Sequence, residues 1–221
     1  MTENCSTGTL DKGKTGSSGT QDRNKKTYNP GNPDKETLLR MNRSHASLRG
    51  FALPFIDWVP EMRILDVGCG GGATIAEMLE LSENSRIDGV DYSPVSVACS
   101  EETNRKYLGG RVRICLGNVI DLPFEDEVYD LVTTVESTYF WPDMAKGFSE
   151  IFRVLKKGGT AAVINEGSDP DAHPNWPNPD IRIMIYRPEE LTAFMKKAGF
   201  ENIRVNHGDG DVIMVRGDKI E

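Results

Sequence analysis

The stretch ILDVGCGGGATIAEML, residues Ile64 to Leu79, decides how the chain is read. An apolar run is interrupted by one acid, Asp66. Glycines then fill four of five positions (Gly68, Gly70, Gly71 and Gly72), and a helix is predicted over Ala73–Leu81. Glycines between a buried strand and a helix let a ligand approach the main chain with no Cβ in the way. The helix N-terminus adds the positive end of its dipole. Two patterns fit. Gly68-x-Gly70-x-x-Ala73 matches the dinucleotide fingerprint G-x-G-x-x-G/A, and Gly68-x-Gly70-x-Gly72 is the other. A tight turn with no ligand is the third reading.

Outward from that turn, strand and helix patterns alternate. Strands are predicted at Arg63–Val67, Ser85–Val90, Val112–Leu116, Tyr129–Val135 and Thr160–Asn165. Helices are predicted at Pro94–Leu108, at Met144–Leu155 (stopped by Gly158-Gly159) and at Pro188–Ala198. Such alternation predicts a mostly parallel sheet covered on both faces. The last two strands, Ile203–Val205 and Val212–Val215, are joined by a turn too short for a crossover helix and must run antiparallel. Residues 1–33 are rich in Gly, Ser, Thr, Lys, Asn and Asp with almost no apolar side chains, and read as a disordered tail. Residues 34–60 carry apolar side chains at spacings of three and four, predicting two short cap helices ahead of a core at 61–221. The proline-rich stretch between Glu166 and Arg187 reads as a long loop, the type that serves as a lid.

Composition narrows the classes. The chain has 221 residues, 38% of them hydrophobic, and a mean hydropathy of -0.45, as in a globular protein. A formal charge of -8 argues against a general nucleic-acid binder. No apolar run is long enough to span a membrane, and no secretory signal is seen. Cys5, Cys69, Cys99 and Cys115 have no zinc spacing and read as free thiols of a cytoplasmic protein.

Three further residues bear on the ligand. Asp91 ends the second strand, where an acid can accept hydrogen bonds from both ribose hydroxyls of a nucleoside. Asp66 would repel a pyrophosphate but favour a ligand carrying an ammonium and a sulfonium. Asn118, just after the third strand, can bond an adenine amino group.

In ILDVGCGGG, VDYS, GNVIDLPFEDEVYD, VESTYFW, FSEIFRVLKKGGT and RPEELTAFMKKAGF, taken in order, the chain resembles the class I S-adenosylmethionine-dependent methyltransferases. It looks most like their small-molecule branch, which includes ubiquinone/menaquinone-type enzymes. The resemblance runs from about Arg63 to Val215. It implies a Rossmann-like α/β fold: a doubly wound sheet of seven mostly parallel strands with one antiparallel strand and helices on both faces. It further implies that Asp66, Gly68, Cys69 and Gly70 surround the methionine moiety of S-adenosylmethionine. Asp91 would hold the ribose, with Tyr92 beside the adenine. Asn118 and Val119 would meet the adenine edge, and Glu136 would line the methionine end. No metal is implied.

The reaction expected is methyl transfer to a small-molecule acceptor by a monomer or homodimer, without nucleic acid. His45, on a cap helix that lies over the cofactor in such proteins, is the candidate base; Tyr139 is the second catalytic candidate. Phe140 and Trp141 beside it would pack the acceptor, and His173 and Trp176 in the proline-rich loop would cover it. Cys69 reads as a small residue that fits its loop. Alternatives are a nucleic-acid or protein methyltransferase, an NAD(P)-binding oxidoreductase and a module that binds the cofactor without turning it over.

Overall fold

The structure is a computed structural model, and it describes residues 33–174 and 183–220. Residues 1–32 and Trp176 lie outside the described residues, and with them the expectations of a tail and of a covering tryptophan. The core is a sheet of β1 (Arg63–Val67), β2 (Arg86–Asp91), β3 (Val112–Leu116), β4 (Tyr129–Val135), β5 (Leu155–Asn165), β6 (Glu201–His207) and β7 (Ile213–Asp218). Their order across the sheet is β3-β2-β1-β4-β5-β7-β6. Strands β1 to β5 pair in parallel. β7 is antiparallel to both neighbours, β5 and β6, so it is the one reversed strand. The fold is thus the doubly wound sheet expected from the resemblance.

Side-chain alternation along the strands builds two cores. Leu65, Val67 and Val132 face one side, against Phe148, Ile151, Leu191 and Met195. The last four belong to α5 (Met144–Val154) and α6 (Pro188–Ala198). Ile64, Ile87 and Leu131 face the other side, against Ile75 and Met78 of α3 (Ala73–Leu81) and Leu48 and Ala52 of α2 (Ala46–Ala52). Caps set the helix starts. Asp34 accepts the Thr37 amide at the head of α1 (Lys35–Ser44) and Asp143 the Lys146 amide at the head of α5, while Ser93 and Pro94 open α4 (Pro94–Thr103).

One glycine reading is corrected. Gly158-Gly159 does not stop a helix. α5 ends at Val154, and the chain enters β5 at once. The pair sits where the β4–β5 register jumps from Tyr129↔Leu155 to Leu131↔Thr160. Gly158 takes φ +80°, and a Cβ on Gly159 would meet the Lys156 and Asp130 carbonyls at 2.9 and 3.1 Å. The two glycines serve a bulge. Cys69 and Cys99 are free thiols, whereas Cys115 is disulfide-bonded, against the expectation for it.

Candidate active site

A cleft of about 350 Å³ opens at the carboxyl ends of β1, β2 and β4, where ligands bind in open α/β sheets. Its floor is the glycine loop. Gly68, Gly70 and Gly72 take φ of +74°, +51° and +80°. Three of the four glycines are held by packing. A Cβ on Gly68 would overlap Ser137, on Gly71 it would meet Asn42, and on Gly72 it would meet Ser100 and Asn104. Gly70 differs, with nothing closer than 3.9 Å to the same position. The loop is also clamped by hydrogen bonds. Asn42 Nδ2 and Thr103 Oγ1 donate to the Gly71 carbonyl at 3.0 and 2.7 Å, and Asn104 Nδ2 donates to the Gly72 carbonyl at 3.0 Å.

Asp91 closes the loop from the side. Its Oδ2 accepts the Gly70 amide at 2.9 Å and its Oδ1 accepts the Ser93 amide at 2.9 Å. Burial pushes its carboxyl upward and these backbone donors pull it back. The Ser96 hydroxyl and the Tyr92 amide also lower it, and the residue lines the cleft. Tyr92, Asn118 and Val119 line the same wall, Tyr92 about half exposed. Cys69 also lines it. Burial and the nearby Asp91 and Asp66 carboxylates raise its thiol well above the usual range, so it is no nucleophile.

Asp66 is not in the wall. It lies below the loop at 2% exposure, its Oδ1 accepting from Thr133 Oγ1 at 2.8 Å. Desolvation lifts its carboxyl to about 7. Alternation along β1 places it beneath the glycines, so it can reach a ligand by its field but makes no wall.

At the other end of the cleft stand His45 and Glu136. His45 occupies the joint between α1 and α2, and burial lowers its imidazole below the usual value, keeping it neutral. Glu136 follows β4 in the left-handed region, φ +55°. It is 9% exposed, and burial raises its carboxyl to about 8. Tyr139 does not line the cleft. It turns inward, donating to Glu136 Oε1 at 2.9 Å and accepting the Gly167 amide at 3.0 Å. Glu166, absent from the sequence reading, adds a carboxylate oxygen 3.9 Å from His45 Nε2. Its position one residue past a parallel strand was the available signal. Phe140, Trp141, Leu38 and Met41 supply apolar walls. His173 is away from the cleft, its Nε2 bonded to Asp211 at 2.9 Å. Arg49, also unanticipated, lines the cleft but is paired with Glu77 at 2.8 Å.

This combination of reversed-strand sheet, glycine loop and strand-end acid defines a nucleoside-binding methyltransferase fold, and comparison with known proteins agrees. A model of the methyltransferase domain matches residues 65–163. The uncharacterized methyltransferase YdaC of Bacillus subtilis is 33% identical over 142 residues, covering 64% of this chain and 73% of YdaC. The chloroplastic 2-methyl-6-phytyl-1,4-hydroquinone methyltransferase 1 of Oryza sativa is 29% identical, over 65% of this chain and 42% of the plant protein. The chain therefore spans about two fifths of the length of the plant hydroquinone methyltransferases it matches. A SAM-dependent methyltransferase of Aquifex aeolicus has the same fold, with a TM-score of 0.71 at 19% identity over 84% of this chain and 98% of that one. The chain belongs to the class I S-adenosylmethionine-dependent methyltransferase family.

Proposed function

We propose that this chain transfers a methyl group from S-adenosylmethionine to a small, largely apolar acceptor. The observation that carries the reading is the Asp91 carboxylate, fixed by the Gly70 and Ser93 amides in the wall of the cleft beside the glycine loop. A ribose diol supplies the two matching donors. The cleft fits the cofactor also at Gly70, the one of the four loop glycines whose added Cβ would meet no atom closer than 3.9 Å and would instead project into ligand space.

Residue roles follow the cleft from end to end. Gly68, Cys69 and Gly70 surround the methionine moiety, with the buried Asp66 carboxylate attracting its ammonium from below. Asp91 holds the ribose, Tyr92 packs beside the adenine, and Asn118 and Val119 meet its edge. Bound S-adenosylmethionine supplies a methyl on a sulfonium, whose C–S bond breaks with its electron pair going to sulfur. The protein's work is then to align a nucleophile and exclude water. Leu38, Met41, Phe140 and Trp141 would enclose the acceptor's apolar body. The group of His45, Glu136 and Glu166 would receive its polar head. Tyr139 serves by holding Glu136, a positioning role.

Relatives that methylate hydroquinones favour an acceptor of that kind, with one polar edge on an apolar ring. Among the described residues no helix is long and apolar enough to cross a membrane. A cytoplasmic location and a monomer or homodimer acting without nucleic acid belong to the same proposal, the last in keeping with the acidic balance. The test is transfer of label from methyl-labelled S-adenosylmethionine to a panel of hydroquinones, phenols and amines. Labelled product is expected with wild type and not with Asp91→Ala. Cofactor binding without transfer to any of the panel would reduce the protein to a binding module.

A further inference from the structure

The acceptor end of the cleft contains an unusual excess of lone pairs. His45 from the α1–α2 joint, Glu136 from the end of β4 and Glu166 from the end of β5 bring one ligand atom each to within 4.8 Å of one another. His45 Nε2 stands 3.9 Å from Glu166 Oε1, beyond hydrogen-bond reach. Among the described residues, neither ring nitrogen of His45 has a hydrogen-bond partner, and no lysine or arginine pairs with Glu136 or Glu166. Glu136 is nine-tenths buried, yet only its Oε1 is used, by the Tyr139 hydroxyl and the Glu166 amide. Its Oε2 is left without a protein donor. Three potential ligand atoms from three separate elements converge, with no lysine or arginine paired to either carboxylate, which is an arrangement that suits a cation.

From this convergence we infer that His45, Glu136 and Glu166 bind a divalent cation at the acceptor end of the cleft. Ligand atoms at about 2.1 Å from such an ion lie roughly 3–4 Å apart, so small side-chain rotations close the present spacing. One imidazole with two carboxylates suits manganese or zinc more than calcium. The Tyr139 hydroxyl and the Glu166 amide fix the Glu136 carboxylate from behind, as outer partners of metal ligands do. Three protein ligands leave coordination positions toward the cleft. An acceptor hydroxyl there would lose its proton to water more readily, its O–H electron pair staying on oxygen. The acceptor class is therefore one with a hydroxyl or enol oxygen on an apolar body. That last step rests on the methyltransferase reading; the cation site does not.

The experiment is titration of the full chain with Mn²⁺ at pH 8 without cofactor, following the free-ion signal by electron paramagnetic resonance. Wild type should bind one ion per chain saturably. Glu136→Gln and Glu166→Gln should each weaken binding at least about tenfold, and Tyr139→Phe by roughly tenfold. His207→Gln, far from the cleft on β6, should leave it unchanged. Glu166 is part-exposed, so its variant serves if the buried Glu136→Gln fails to fold. S-adenosylhomocysteine binding, measured in parallel, reports on the cofactor site separately. No saturable uptake by wild type, or uptake unchanged in folded Glu166→Gln, overturns the inference.

Discussion

The Gly70 amide donates to Asp91 Oδ2 across 2.9 Å, tying together two residues 21 positions apart in sequence. With Ser93 donating to Oδ1, the carboxylate is fixed between two backbone amides. Its orientation is therefore set before any ligand arrives, which spares binding part of its ordering cost. Asp91→Asn presents an amide nitrogen to one of two N–H donors. It should destabilise the fold by about 1–3 kcal/mol, the cost of a buried unpaired donor. Urea unfolding of the two proteins at pH 7 checks this.

The four glycines should separate by role. Gly72→Ala forces a Cβ to within 2.9 Å of Ser100 Cα at φ +80°. Left-handed strain and overpacking together should cost about 2–5 kcal/mol. Gly70→Ala meets nothing closer than 3.9 Å, so only the φ of +51° opposes it, about 1–2 kcal/mol. Its main effect should be weaker S-adenosylmethionine binding. Thermal melts paired with calorimetric titration tell the two apart.

Asp66 predicts a pH dependence. Its folded carboxyl lies near 7, raised by burial from 3.8. The folded state holds this proton more tightly than the unfolded chain. Stability from this group is therefore full below about pH 4 and declines as pH rises through 7. The whole effect is about 4 kcal/mol from the size of the shift. Asp66→Asn, which preserves an acceptor for Thr133, should flatten stability between pH 5 and pH 8. Melting temperature across that range is the measurement. A cofactor ammonium favours the ionised carboxylate. Binding at pH 7 should thus release protons in wild type and fewer in Asp66→Asn, as read by calorimetry in buffers of differing ionisation enthalpy.

Tyr139→Phe removes one donor from Glu136 and the acceptor of the Gly167 amide. The expected loss is about 1–3 kcal/mol of stability. Turnover should fall while cofactor affinity stays within about twofold, because the ring does not line the cleft. A comparison of kcat with cofactor Kd decides it.

Much of the fold was legible in local pattern. β1, α3, β3, β4 and α6 have the boundaries their sequences predict, because apolar runs, caps and glycine stops agree there. The Gly158-Gly159 pair was misread because a glycine after a helix and one in a bulge look alike in sequence. At the cleft, Asp91 and the glycines were visible because their spacing is local. Asn42, Asn104 and Arg49 were not. They reach the loop and Glu77 across 28 to 32 residues, and nothing near them in sequence marks the partner. Tyr139 was placed beside the acceptor because it neighbours Phe140 and Trp141. The 3-10 turn at Thr138–Phe140 instead points its ring inward.

The first measurement is calorimetric titration of S-adenosylmethionine and S-adenosylhomocysteine, with NADH alongside, into wild type and Asp91→Ala. Both adenosyl ligands should bind wild type at one per chain with micromolar affinity, about -8 kcal/mol, and lose at least about a hundredfold in the variant, while NADH does not bind. No binding of either by wild type, or a preference for NADH, would contradict the assignment of this cleft.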